Sequence, residues 1–309
     1  MAGSRPTALH AGDTNAIGRM LGLLGDEWNL LIVQQSLMGA TRYSHFMARL
    51  PISNSVLTRR LGVLVVEGLL SRDGGGYSAT GRARSLWPVL LTIWEWERTW
   101  VDAHRDRLPA MRHERCGQLF TPMLECSCCG AAVGTGDIDL RLGPSGTWSR
   151  SAPVVATRRR SESDSAARQG GLFPETMAVL GNRWAAALLV ASFLGATRFT
   201  DFQQQLGVPP SLLAERLQTF CAIGVLNTPG DAERACYLLT DKGRAFGGVL
   251  VAALQWAQRW FLAPEGPAVV LRHRGCGEVL DAVLACDRCG ARLTGAEVGV
   301  TLAEAAGIP

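Results

Sequence analysis

Apolar residues recur at helical spacing through Leu21, Leu24, Trp28, Leu31 and Ile32, and the pattern predicts a helix over about 27–38, stopped by Gly39. A second, short helix is predicted over about 43–50, with Phe46 and Leu50 facing inward and Pro51 ending it. Ser53 then offers its hydroxyl as the cap of a third helix, about 54–67, whose Val56, Leu57, Leu61, Leu64 and Val65 form a buried stripe and whose end is marked by Gly68. Two helices joined by a tight turn predict a helix-turn-helix. Beyond Gly68, strands over 69–73 and 77–79 flank Gly74-Gly75-Gly76, a turn open to any backbone angle, and the hairpin they form is placed as a wing. A long apolar helix, about 81–101, follows, with Trp96 and Trp100 one turn apart on one face.

The chain then repeats this succession. Arg42-Tyr43-Ser44-His45-Phe46 returns as Arg198-Phe199-Thr200-Asp201-Phe202, 156 residues later, and from Thr80/Thr240 onward the offset is 160, so the second copy carries a four-residue insertion between Gly224 and Thr240. A period this long describes two modules with a core each, not a solenoid. The second long helix is predicted over 243–261 and carries Trp256 and Trp260 at the places of Trp96 and Trp100. Residues 143–171, rich in Ser, Gly, Pro and Arg, read as a solvated linker, and the run Arg158 to Arg160 within it is a candidate phosphate contact. The predicted class is mainly α (α+β): a winged helix-turn-helix domain over 1–104 and another over 172–262, each followed by a small zinc-ribbon-like appendage, over 105–142 and 263–309.

The appendages carry the most specific chemistry. His113-x-x-Cys116-Gly117 with Cys126-x-x-Cys129-Gly130 returns as His273-x-x-Cys276-Gly277 with Cys286-x-x-Cys289-Gly290. Sulfur and imidazole ligands in two knuckle-like pairs suit tetrahedral zinc, and each motif supplies one complete set of four, which predicts two structural zinc ions per chain with no open position for catalysis. The alternatives are a redox pair such as Cys116 and Cys126, or reduced thiols that pack. Cys128 has no counterpart and competes as a ligand, while Cys221 and Cys236 read as structural.

Charge narrows the functional classes. The formal net charge is +4, but between Arg150 and Gln169 five arginines face Glu162 and Asp164, so the two folded halves together carry only about +1. No global basic field steers the chain to nucleic acid, and DNA binding has to come from local patches. The exposed face of the third helix provides one, with Ser53, Asn54, Ser55, Thr58, Arg59 and Arg60. Arginine there pairs with guanine edges, as expected of Arg59, and asparagine with adenine, while Arg60 is expected at a phosphate or in a structural contact; the other reading is a merely solvated face. Arg42, Arg72 and Arg198 flank the helices as further contacts. The second copy offers Ser211, Glu215 and Arg216; over aligned positions its recognition helix sums to zero charge against +1 for the first. The tryptophans Trp96, Trp100, Trp256 and Trp260 read as a dimer core, or alternatively as an effector pocket between the long helices. No catalytic constellation, membrane span or signal peptide is found, so the chain is expected to be a cytoplasmic, nucleoid-associated protein and no enzyme.

Together, Leu24-Gly25-Asp26-Glu27-Trp28, Arg42-Tyr43-Ser44-x-Phe46, Leu57-Thr58-x-Arg60-Leu61 and Glu67-Gly68-Leu69, with their second-copy counterparts from Leu180 to Arg244, resemble the HxlR-type winged helix-turn-helix regulators. The resemblance covers about 14–104 and 172–262. It implies homodimers presenting two recognition helices to a palindromic operator on double-stranded DNA, and here a repressor that is either a covalent pseudo-dimer or a four-winged homodimer. An interaction or effector-binding scaffold that has lost DNA binding is the alternative. The N-terminal cysteine of the family's oxidant sensors is absent, since no cysteine precedes Cys116.

Overall fold

Short polar caps set the starts of four helices of the first copy. The structure is a computed structural model that describes residues 5–151, 173–181, 183–229 and 236–301. A two-residue strand, β1 (Thr7–Ala8), precedes α1 (Ala16–Leu24), which is capped by the Asn15 side chain; Asp26 caps α2 (Glu27–Leu37) by accepting from the Asn29 N–H. Then come α3 (Tyr43–Arg49) and α4 (Asn54–Val66), where the Ser53 hydroxyl accepts from the Val56 N–H. Strands β2 (Leu70–Asp73) and β3 (Gly76–Ala79) form the wing, and its tip turns through Gly74 and Gly75 at φ of 54° and 87°.

The predicted long helix over 81–101 is instead two, α5 (Gly81–Arg84) and α6 (Trp87–Trp100). Pro88 lies in the first turn of α6, where its missing N–H and fixed φ suit a helix start and forbid continuation from α5. The second copy breaks at the equivalent place, with Gly248 in the position of Pro88. After the short α7 (Asp102–Arg105), that copy comprises α8 (Pro174–Leu180), α9 (Arg183–Phe193), α10 (Phe199–Leu206), α11 (Pro210–Ala222), α12 (Asp241–Ala245) and α13 (Gly247–Trp260). Its wing retains β8 (Leu226–Asn227) paired with β9 (Leu238–Leu239). The tip, 230–235, lies outside the described residues.

The two copies share one continuous core. Helices α6 and α13 pack together, and their tryptophans make reciprocal bonds across the junction: Trp96 Nε1 donates to the Lys242 carbonyl at 3.0 Å and Trp256 Nε1 to the Arg82 carbonyl at 3.1 Å. Trp96 meets Phe246 edge to face at 4.8 Å, and Trp260 Nε1 donates to the Ser85 hydroxyl. At the chain's start, β1 lies parallel to β10 (Phe261–Leu262), and α1 rests on α13 of the other copy.

Beyond the winged modules the interleaving is complete. Strands β4 (Ala110–His113), β5 (Gln118–Leu119), β6 (Pro122–Cys126) and β7 (Ile138–Leu142) come from the first copy, and β11 (Val269–His273), β12 (Ala282–Cys286) and β13 (Val298–Thr301) from the second. β6 pairs antiparallel with β12, β7 with β11 and β4 with β13. The two appendages therefore do not stand apart; each completes the other's sheet.

The predicted linker also begins later than its composition suggests. Residues 143–151 pack against the second copy: Ser145 is buried, its hydroxyl donates to the Gly266 carbonyl, and its own carbonyl accepts from the buried Asn15 Nδ2. Gly143 and Gly146 permit this approach, since a Cβ there would fall 2.2 Å and 2.0 Å from the Pro267 and Ala268 carbonyl oxygens. What composition marks as solvated is glycine used for closeness. The rest of the linker, with Arg158, Arg159 and Arg160, lies outside the described residues.

Candidate metal centres and nucleic-acid interface

Each Cys/His pair sits on a tight knuckle closed by the glycine that follows it. The N–H groups of Gly117, Gly130, Gly277 and Gly290 donate to the carbonyls of His113, Cys126, His273 and Cys286 at 2.7 to 2.9 Å, and all four glycines hold φ between 67° and 76°. An L side chain is strained in that region, which explains the repeated glycine.

The knuckles do not combine as the motif spacing suggests. One cluster is His113, Cys116, Cys286 and Cys289; the other is Cys126, Cys129, His273 and Cys276, with ligand atoms within 4.8 Å of one another. Every cluster takes two ligands from each copy, which corrects the expectation of one complete set per motif. The reason is the extended strand between the knuckles. At about 3.3 Å per residue, β6 carries Cys126 about 13 Å from Pro122, whereas antiparallel pairing sets Cys286 opposite Pro122 and so brings it back to His113.

The donor sets fit a tetrahedral ion. His113 Nδ1 lies 3.4 Å from Cys116 Sγ and 3.3 Å from Cys289 Sγ, and His273 Nδ1 lies 3.4 Å from both Cys276 Sγ and Cys129 Sγ. Cys116 and Cys286 are 4.0 Å apart, Cys126 and Cys276 3.9 Å. Zinc bonds of about 2.3 Å to sulfur and 2.0 Å to nitrogen give tetrahedral edges of about 3.8 Å between sulfurs and 3.5 Å between sulfur and nitrogen. The quartets are three thiols and one imidazole each, with no described carboxylate among them. Burial pushes the Cys126 thiol up, but the Cys129 and Cys128 N–H groups and neighbouring thiols outweigh it and bring the group below its usual range. The Ala291 N–H, ahead of other contacts, does the same for Cys289. Cys128 is exposed and belongs to neither quartet; Cys221 and Cys236 are half-buried far along the chain from both.

On the first copy's recognition helix, Asn54, Ser55, Thr58 and Arg59 are exposed on one face, and Arg42 and Arg72 are exposed beside it on the α3 cap and the wing. Sequence reasoning missed Tyr43, whose hydroxyl reaches the Asn54 carbonyl and Oδ1 at 3.0 Å and Thr58 Oγ1 at 3.3 Å, fixing the start of α4 against α3. The signal is the tyrosine itself, since the second copy has Phe199 there. Arg60 is placed differently from Arg59. It pairs with Asp26, the cap of α2, and is largely buried, so its guanidinium joins α4 to α2, the structural contact that is one of the two roles the sequence leaves open to it. We predict that Arg60→Ala lowers stability by about 1–3 kcal/mol and leaves operator sequence preference unchanged; a lost base preference in a variant that melts like the wild type would contradict this.

The second copy departs at several of these positions. Pro209 replaces the Ser53 cap and makes no side-chain cap bond, Glu215 replaces Arg59, and Arg216 pairs with Glu215 at 3.1 Å. Arg198 and Ser211 are exposed. Trp96 and Trp256 are buried and Trp100 and Trp260 half-buried at the junction described above. No single helix among the described residues is long and apolar enough to cross a membrane.

Comparison with known proteins follows the duplication. The model of the HxlR-like helix-turn-helix family matches residues 23–105 and again 179–264. The HTH-type transcriptional regulator Rv3095 of Mycobacterium tuberculosis (strain ATCC 25618 / H37Rv) is 33% identical over 133 residues, 42% of this chain and 84% of the relative. YvaP of Bacillus subtilis (strain 168), also an HTH-type transcriptional regulator by name, is 38% identical over 88 residues, 26% of this chain and 82% of the relative. Among solved structures, PA1607, described as a transcription factor, is 30% identical and covers 44% of this chain and 98% of its own, with a TM-score of 0.39. The matches to Rv3095 and YvaP, over 133 and 88 residues, are each shorter than the repeat of this chain, which the family model matches twice.

Proposed function

Because the chain belongs to the HxlR-like helix-turn-helix family, we propose that it is a cytoplasmic DNA-binding transcriptional regulator, acting as a repressor, whose two copies form a covalent pseudo-dimer closed by two structural zinc ions. The observation that carries the DNA-binding reading is the exposed face of Asn54, Ser55, Thr58 and Arg59 beside a glycine-tipped wing. Small hydrogen-bonding residues and one arginine fit the major groove, while the wing's Arg72 reaches toward the adjoining backbone. The pseudo-dimer reading is supported by the strand pairs and reciprocal tryptophan bonds, all of which run between copies. In a single-copy relative such contacts would need a second chain.

In this reading His113, Cys116, Cys286 and Cys289 hold one zinc, and Cys126, Cys129, His273 and Cys276 the other. The ion supplies charge neutralisation for clustered thiolates and a fixed tetrahedral tie between copies. Full protein coordination gives it no reaction to perform. The second module is the weaker reader, since Glu215 repels phosphate where Arg59 attracts it. The test is whether the purified chain shifts DNA from its own promoter region, with sequence selectivity and with affinity falling as salt rises. A chain that binds no DNA selectively at low salt would favour the interaction-scaffold reading instead.

A further inference from the structure

The junction between the copies is filled on one side and open on the other. Between α1, α9 and α13 lies a cavity of about 40 Å³, walled by Met20, Trp148, Trp184, Ala186, Ala187 and Leu254 among others. Its described walls include no charged side chain. The hydroxyls at its edge are already engaged: Ser151 donates to the Thr147 carbonyl and accepts from Asn15 Nδ2, and Thr147 Oγ1 lies 3.3 Å from Ser149 Oγ.

The equivalent junction of the other half carries bulk and polar bonds instead. By the 156-residue offset, Leu30 and Leu31 of α2 stand where Ala186 and Ala187 stand in α9, and both leucines are buried. Thr176 stands for Met20, and its N–H and hydroxyl both donate to the buried Glu97 Oε1, whose other oxygen meets His104 Nδ1 at 2.7 Å. The first half thus fills this place with two leucines where the second half has two alanines.

We propose that the cavity is an effector site for a neutral, mainly apolar molecule of about one aromatic ring, and that its entry shifts α1 against α9. Uncharged apolar walls with committed hydroxyls exclude an anion and offer dispersion contacts to a ring. The cavity is smaller than the roughly 150 Å³ in which benzene is held by an engineered protein, so a ring has to displace a wall. Met20, unbranched and adaptable, is the wall suited to yield. Helix α1 connects directly to the DNA-reading helix: Arg19, next to Met20, pairs with Glu67, the C-cap of α4, at 2.9 Å. Helix α9 packs in turn on α10 and α11 of the second module. Movement of α1 relative to α9 therefore changes how the two recognition helices stand to each other.

The regulatory half of this inference rests on the DNA-binding reading, so ligand and DNA are measured separately. The full chain is titrated calorimetrically with indole and toluene, with benzoate as the charged counterpart. Saturable binding of a neutral probe, at least tenfold tighter than benzoate, is expected. Ala187→Leu, which installs the residue of the first half, should weaken it at least tenfold with operator affinity in the absence of ligand unchanged; Met20→Ala, which adds space, should tighten it severalfold. Saturating indole should change operator affinity at least threefold in the wild type and not in Ala187→Leu. No saturable binding of either probe, or undiminished binding to Ala187→Leu with unimproved binding to Met20→Ala, overturns the site. Binding without any effect on operator affinity overturns the coupling, and a chain that binds probe but no DNA overturns the DNA-binding reading alone.

Discussion

Stripping the metal should disassemble the body that joins the copies and abolish operator binding with it. Both quartets lie where β4, β6, β7 and their partners β11, β12 and β13 meet, and each draws two ligands from either copy. Apparent binding energies of structural zinc are about 10–16 kcal/mol in small domains, as large as the whole stability of an ordinary domain, about 5–15 kcal/mol. Around the quartets the apolar core is small, with Leu284, Cys286, Leu293, Phe120 and the α6 residues Leu91 and Trp94, while Val269 and Leu271 of β11 belong to the main core, so metal loss is expected to loosen the strands at the quartets first. The thermal midpoint is expected to fall by at least about 10 °C on chelation, and DNA shift to disappear at chain concentrations that saturate the metal-loaded form. Protons compete for the thiolates, so the chelator concentration needed should fall as pH is lowered. A midpoint unmoved in protein shown by elemental analysis to be metal-free would refute the structural role.

The other large effect is expected at Arg59. Arg59→Ala should weaken operator binding by about 1–3 kcal/mol and relax base preference at one position of the site. Arg216→Ala should cost far less, because Arg216 is half-buried and already held by Glu215. Glu215→Ala, which removes a carboxylate from the exposed face of α11 and frees Arg216, should strengthen binding and leave its salt dependence as steep or steeper, whereas Arg59→Ala should flatten it. The two modules differ beyond this one exchange: Phe199 lacks the hydroxyl with which Tyr43 secures α4, and Pro209 lacks the cap that Ser53 provides. The operator is accordingly expected to be an imperfect palindrome, with the half-site read by α4 dominating the footprint. Equal losses from Arg59→Ala and Arg216→Ala, with a symmetric footprint, would contradict the unequal reading.

Features written within a few residues were legible in the sequence. The helix α4, its Ser53 cap, its Gly68 stop and the wing follow from local periodicity and turn chemistry, and so do the four glycine-closed knuckles. The break before α6 was signalled by Pro88 but was masked by the apolar run on either side of it. The partnership of the knuckles was not legible from ligand chemistry, because the two motifs are chemically interchangeable. It is decided by β6 and β12, whose register places Cys286 beside Pro122. The shortness of the segment between Cys116 and Cys126 was the available clue, since a strand that leaves the first knuckle has no length to return. Which of its two roles Arg60 takes is hidden for a similar reason: helical spacing puts it beside Arg59, and only the tertiary position of Asp26 draws it inward.

The central claim, that metal ties one copy to the other, is tested most directly by counting zinc in paired variants. Cys116 and Cys286 belong to one quartet, whereas Cys116 and Cys126 belong to different ones. Full-length protein carrying Cys116→Ser with Cys286→Ser should therefore retain one zinc per chain, and protein carrying Cys116→Ser with Cys126→Ser should retain none. The reverse result, one zinc held by the second pair and none by the first, would mean that each motif closes on itself and that the copies are not joined through metal.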